Sequence, residues 1–293
     1  MILGRMARHP SWLLLVPVIA FLLTFFLLPF IWLVRISFAR NTGGTGYGEG
    51  KAFFEPGTWT LNNYGQFFSD PFFLKIAAFT LQFGLIVAIV STLVAYLLAY
   101  QIYRAPGWRR SVLMLVVILP KFTNVIVLMF GLLVMFGTKG LLNNALLQIG
   151  LISEPLPMMF NLFGVVLGET VLVMPYCVLV ILAALLSVDR ALVDAAGGLG
   201  ASRLRAFLEV TLPLTLPAVS VSLVLAFMWG AAAFAAPYLL GKPDLYTLAV
   251  EVDRQVNWRL SWAMGATVAL LLMALIAISL ALYVRLQKRE ARP

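Results

Sequence analysis

Histidine and cysteine are almost missing from these 293 residues, which hold one of each, His9 and Cys177. A lone cysteine closes no intrachain disulfide, and one histidine with one cysteine cannot assemble a zinc constellation. A Ser-His-Asp arrangement fails as well, because the one histidine stands in the N-terminal tail, away from any serine in the body of the chain. Charge is also scarce: 11% of residues are charged against 62% hydrophobic, and mean hydropathy is +0.98. That much apolar surface exceeds what a soluble domain buries, and lipid is the solvent left for it.

A phosphate-cradling loop ending in Gly-Lys-Ser/Thr is lacking too. The nearest imitation spans residues 43–51, where Ala52 follows Gly50-Lys51 and Thr45 replaces the first glycine of the spacing. It reads as a flexible external loop. The chain is therefore expected to be no enzyme and to carry no cofactor and no metal. The net charge of +9 raises the question of nucleic acid. No basic stripe interleaved with stacking aromatics lies outside the apolar segments, so no nucleic-acid partner is expected.

What is present is six apolar runs, 12–34, 76–101, 111–136, 162–186, 210–236 and 261–284, each able to cross about 30 Å of hydrocarbon at about 1.5 Å per residue. They are continuous, and much longer than the alternating strands of a barrel. The expected fold is an all-α membrane protein of six transmembrane helices, a single transmembrane domain over residues 1–293. The first run follows Arg5, Arg8 and His9 as a secretory leader would, but its length and the want of a clear cleavage site make it a retained anchor. With the N-terminus inside, twelve Lys and Arg fall on the cytoplasmic side and eight outside. The positive-inside rule then places both termini in the cytoplasm. Arg104, Arg109 and Arg110, in a short loop without acids, are the most informative element.

Two ionisable residues fall well inside runs, Lys121 and Glu169. Intramembrane charge is costly and turns towards the protein interior or a water-filled cavity. Three readings stand: a structural ion pair, solute contacts lining a translocation path together with Asn124, or snorkelling to the interface or an error in the span limits. Thr123, Thr170 and Tyr176 lie near enough in sequence to line the same cavity. Prolines 120, 175, 213, 217 and 237 each remove a helical hydrogen bond, and either shape a gate or only adjust packing. Gly164 and Gly168 have the spacing of a close helix–helix approach, within this subunit or against a partner. Trp59, Tyr64, Tyr238, Tyr246 and Trp258 mark the outer segments with aromatics of the kind that anchor helices at a membrane interface.

The longest segment on the cytoplasmic side, 187–209, opens with Asp189-Arg190. It places Leu192, Ala195, Ala196 and Leu199 on one helical face before Gly197, Gly198 and Gly200 break the pattern. On its residues alone it is either a plain connector or a short helix lying near the membrane surface. Asp194-Ala195-Ala196, three residues, Gly200, nine residues, Val210, one residue, Leu212-Pro213 resembles the EAA signature of ABC importer permeases, with Asp for Glu and Val for Ile. Leu28-Pro29-Phe30, Leu119-Pro120, Pro175 and Pro213-Leu214-Thr215-Leu216-Pro217 extend the resemblance to the spermidine/putrescine-type, MetI-like permeases.

That resemblance implies a coupling helix between helices four and five that inserts into an ATPase subunit, with Asp194, Ala195, Ala196, Gly200, Leu212 and Pro213 as its motif. It also implies an ABC ATPase dimer, a second and different permease subunit, and a periplasmic or lipid-anchored substrate-binding protein, all at the bacterial inner membrane. The solute would be small and polar, of polyamine, 2-aminoethylphosphonate or ferric-iron type. The rival is a gradient-driven secondary transporter or channel subunit, which would show more spans or an inverted repeat with charges at both midplanes. A membrane scaffold is the remaining alternative, and neither it nor the rival needs a small-residue coupling helix in this place.

Overall fold

The computed structural model describes residues 15–41 and 53–290, with side chains as far as residue 285. Arg5, Arg8, His9, the 43–51 stretch and Arg292 lie outside the described residues, as do the side chains of Lys288, Arg289 and Glu290. The chain forms two compact units, one of residues up to 70 with 252–271, the other of 71–251 with 272 onwards.

In the first unit α1 (Val16–Leu22) passes through a π-helical segment, Leu23–Leu27, into α2 (Leu28–Ser37). The run is apolar on every side and α1 buries nothing within the chain, as suits a helix facing lipid. The wide π turn has a local cause: Pro29 brings no N–H to the ladder, and its ring crowds the carbonyl four residues back. A short antiparallel ladder follows, β1 (Arg40–Asn41) with β2 (Phe54–Glu55), a small departure from the all-helical expectation. Next comes α3 (Asn62–Ser69), whose buried Asn63 amide donates to the carbonyls of Ser37 at 2.8 Å and Ala39 at 2.9 Å. The last carbonyl of α2 is thereby satisfied.

The second unit opens with α4 (Pro71–Arg104), whose 34 residues make it longer than a bilayer core is thick, at about 51 Å. Then come α5 (Gly107–Ile118), a 3-10 turn at Leu119–Phe122, α6 (Val125–Phe136), α7 (Leu141–Gln148) and α8 (Leu162–Ser187). After α9 (Arg190–Gly198) and α10 (Arg203–Ala206), a π segment at Phe207–Thr211 leads into α11 (Leu212–Ala231). Pro213 stands to this π segment as Pro29 does to the first. The chain continues through α12 (Ala235–Leu240) and α13 (Leu248–Asp253), whose last residues belong to the first unit, and α14 (Trp262–Glu290), which starts in the first unit and returns to the second at residue 272.

The core of this unit is α4 against α8 and α11, joined along small residues. Gly84, Ala88, Ser91, Ala95 and Ala99 form a buried stripe at helical spacing on α4. A Cβ added to Gly230 would stand 2.9 Å from the Cβ of Val87 and 3.0 Å from the Cα of Gly84, so α4 and α11 touch backbone to backbone. Ser91 Oγ reaches Thr170 Oγ1 on α8 at 3.2 Å. Hydrocarbon gives helices no hydrophobic reason to associate, so close dispersion contact and a few hydrogen bonds take that role. Gly168 serves the same end, facing Leu240, Ala236 and Met129 of this subunit, whereas Gly164 lies against the backbone of Met158.

Six stretches among the described residues are long and apolar enough to cross a membrane: Val16–Ser37, Pro71–Arg104, Val125–Gln148, Leu162–Ser187, Arg203–Ala231 and Trp262–Arg285. All six overlap the expected runs, five of them over most of their length. The third departs, because the expected helix over 111–136 is broken between α5 and α6. Pro120 supplies no N–H there, and Asn124 caps the next helix by accepting the Ile126 amide proton at 2.9 Å. Lys121 therefore sits in a break, not inside a helix. Likewise α11 stops at Ala231, short of the expected 236.

Gly230→Val is expected to lower the melting temperature of the purified protein by several degrees, because overpacking a backbone contact costs about 1–3 kcal/mol. Gly131, with open space around it, tolerates alanine with little change. Equal shifts in the two variants would contradict the close approach.

Candidate functional site

Helix α8 is apolar for most of its length, and Glu169 interrupts it two turns from its start. The side chain is only 2% exposed. It lines a cavity of about 780 Å³ bounded chiefly by apolar residues of α11 and the turn after it, among them Val221, Leu225, Met228, Trp229 and Phe234. No hydrogen bond and no ion pair reaches this carboxylate among the described residues. A carboxylate is costly to ionise in that condition, and an arriving cation or set of donors relieves the cost.

The nearest candidate, Lys121, does not pair with it directly. Its Nζ lies over the ring of Tyr176 at 4.0 Å from the centroid, and over that of Trp229 at 4.9 Å. The two rings are 5.4 Å apart. Tyr176 comes from α8, two turns beyond Glu169, and Trp229 from the last turns of α11. Ring faces carry negative electrostatic potential, so two of them make a seat for an ammonium worth about 0.5–2 kcal/mol depending on hydration. Lys121 still acts electrostatically on Glu169 across the gap.

Of the expected path residues, the structure brings Lys121 and Glu169 into one neighbourhood and gives Asn124 a different task, the capping of α6. Thr170 points to Ser91 and serves helix packing. Trp229 was missed by sequence reasoning, since an aromatic in an apolar run carries no signal of its own.

The segment 187–209 is built from caps. Asp189 Oδ1 accepts the Ala191 amide proton at 2.9 Å and starts α9, and Ser202 Oγ accepts that of Arg205 at 3.3 Å to start α10. At the other end of α9 the amide of Gly200 donates to Gly197 O and that of Ala201 to Ala196 O, both at 3.0 Å. These two bonds form a Schellman motif, which needs a left-handed residue at the position of Gly200. Its φ of +87° meets that need. Arg205 pairs with Glu209 at 2.9 Å. Helix α9 buries no residue within the chain, and Leu199 at its end is 90% exposed. Beside it a cavity of about 410 Å³ is lined by Tyr100, Tyr103, Arg104, Asp194 and Phe207, among others.

Helices long and apolar enough to span a membrane, a cavity among them and a capped, unburied helix between two of them suit the membrane subunit of a transporter. The model of the binding-protein-dependent transport system inner membrane component matches residues 91–292, and the chain belongs to that family. It is 26% identical to the spermidine/putrescine transport system permease protein PotB of Escherichia coli (strain K12), over 93% of this chain and 96% of that protein. To PotB of Haemophilus influenzae it is 27% identical, over 92% of each. The molybdenum transport system permease protein ModB of Escherichia coli is 35% identical, over 53% of this chain and 62% of that protein. A chain in the crystal structure of a bacterial ABC transporter involved in the import of the acidic polysaccharide alginate matches with a TM-score of 0.77 and 19% identity, covering 96% of this chain and 97% of that one. The same fold recurs, at a TM-score of 0.75, in the alginate transporter in complex with an alginate pentasaccharide-bound periplasmic protein. The chain is thus a multi-pass inner-membrane permease subunit of the ABC importer type, and its relatives are transport permeases, not enzymes.

Gly200→Val is expected to speed amide exchange at Gly200 and Ala201 by about tenfold, since a left-handed residue with a Cβ costs about 1–2 kcal/mol. Gly200→Asn, tolerated in that region, is expected to leave the exchange near wild type. Hydrogen–deuterium exchange read by mass spectrometry separates the two; indifference to valine would rule out the motif.

Proposed function

We propose that this chain forms half of the translocation path of an importer for small organic cations of the polyamine class. Both termini lie in the cytoplasm, and the path runs past Glu169. The observation that carries the reading is the carboxylate of Glu169, buried, with no hydrogen bond or ion pair among the described residues, on the wall of a chiefly apolar cavity. Such a group attracts a positively charged solute and repels an oxyanion, which weighs against the molybdenum-type and phosphonate-type alternatives. Relatives named for spermidine and putrescine cover more than nine-tenths of the chain and support the same class.

Energy comes from a separate ABC ATPase dimer that docks on α9. An unburied helix with exposed Leu199, an acid at Asp194 and small residues at Ala195 and Ala196 suits insertion into a groove on another protein. The Schellman turn at Gly200 and the π segment ahead of Leu212-Pro213 join that helix to α11, which carries Trp229. Displacement of α9 then reaches the cavity along one continuous path of chain. A second, different permease subunit completes the path, and a periplasmic or lipid-anchored binding protein delivers the solute from outside.

Uptake of radiolabelled spermidine and putrescine into proteoliposomes holding the complete importer tests the reading. Glu169→Gln is expected to lower uptake at least tenfold while the complex still assembles and hydrolyses ATP. Unchanged uptake of both solutes in that variant would remove Glu169 from the path. Gly200→Ile is expected to leave membrane insertion intact, to keep ATP hydrolysis running, and to abolish uptake. A normal transport rate in Gly200→Ile would refute the coupling role of the segment.

A further inference from the structure

The seat made by Tyr176 and Trp229 is already filled, and what fills it is the chain's own ammonium group. Lys121 Nζ sits over both rings although a buried carboxylate stands close enough to act on it electrostatically. Trp229 lines the same cavity as Glu169, as does Val125, four residues past Lys121. One aromatic seat and one unpartnered carboxylate therefore border a single space, and only the seat is taken.

We propose that Lys121 is a tethered stand-in for the transported cation, holding the aromatic seat until an incoming organic ammonium displaces it. The inference rests on the cation reading above and adds a specificity-determining residue to it. Leaving the seat costs Lys121 no backbone hydrogen bond, because only its side chain moves. Its backbone lies in a single 3-10 turn, with Thr123 and Asn124 extended beside it. An arriving ammonium takes the ring faces and the unshared charge of Glu169, while Lys121 turns away from a like charge. A neutral solute gains nothing from the exchange. An anion could pair with Lys121 only by drawing it off the rings and approaching Glu169.

Occupation of a site by its own chain reduces apparent affinity by the fraction of molecules in which the site is free. Removing the stand-in should therefore tighten binding of the cation, the reverse of what loss of a solute-contacting or structural residue does. If Lys121 holds the seat in about nine molecules of ten, the gain is about tenfold.

Equilibrium binding of spermidine and of n-butylammonium to the purified, complete importer in nanodiscs, without binding protein, reads this directly. Lys121→Gln, and Lys121→Met as a second charge-free variant, are expected to bind both probes about tenfold more tightly than wild type. Lys121→Arg, which keeps a cation on the rings, stays within about twofold of wild type. In a Glu169→Gln background the gain disappears. Weaker or unchanged binding of both probes in the two charge-free variants overturns the proposal, as does a gain that persists without Glu169. Should n-butylammonium follow the expected pattern while spermidine binds to none of the proteins, the polyamine reading fails and the stand-in survives. Should spermidine binding vanish in Glu169→Gln yet ignore Lys121→Gln, the cation path survives and the stand-in fails.

Discussion

The close approach of α4 to α8 and α11 holds the second unit together, and the proposed chemistry depends on it. Lipid offers no hydrophobic push between helices, so their contact has to come from surfaces flat enough for backbone to meet backbone. Gly84 and Gly230 provide that where α4 meets α11, with Ser91 and Thr170 adding a hydrogen bond where α4 meets α8. Because α8 and α11 are fixed against the same helix, Glu169 and Tyr176 on one and Trp229 on the other keep their spacing. A wider helix separation would dissolve both the aromatic pair and the cavity wall.

The proposed function gathers where helices are interrupted. The break at Leu119–Phe122 puts Lys121 on a turn, from which its side chain reaches two rings. The π segment before Pro213 and the left-handed Gly200 set the course of the chain between α9 and α11. Each interruption follows from elementary backbone chemistry, a proline without an N–H or a glycine without a Cβ. Broken helices are tolerated in a membrane protein when neighbours or cavities satisfy the freed groups. Asn124, Asp189 and Ser202 do so here by accepting amide protons at three helix starts.

Much of this was legible in the amino-acid sequence. The apolar runs announce themselves because lipid imposes a minimum length, and Glu169 stands out because a carboxylate in such a run is costly. The segment 187–209 was readable through its small residues and its resemblance to a known signature. Two features were not readable. The break in the third run was hidden by apolar residues on both sides, which outweighed the turn signal of Pro120 and Asn124 in a reading based on hydropathy. The pairing of Lys121 with Tyr176 and Trp229 is tertiary, joining residues more than fifty positions apart, and apolar patterning carries no trace of it. An ion pair between Lys121 and Glu169 was the simplest expectation from depth alone. The rings take the ammonium instead, and no hydrogen bond or ion pair reaches the carboxylate among the described residues.

The central claim is that this chain is one half of a membrane path whose motor is another protein. Affinity purification of the tagged chain in mild detergent, after co-expression with its neighbouring genes, followed by mass spectrometry of what is retained, tests it most directly. The account predicts an ATP-binding-cassette ATPase and a second, different permease in fixed proportion to the tagged chain. Recovery of the chain alone, or only with further copies of itself, would contradict it and return the gradient-driven reading to first place.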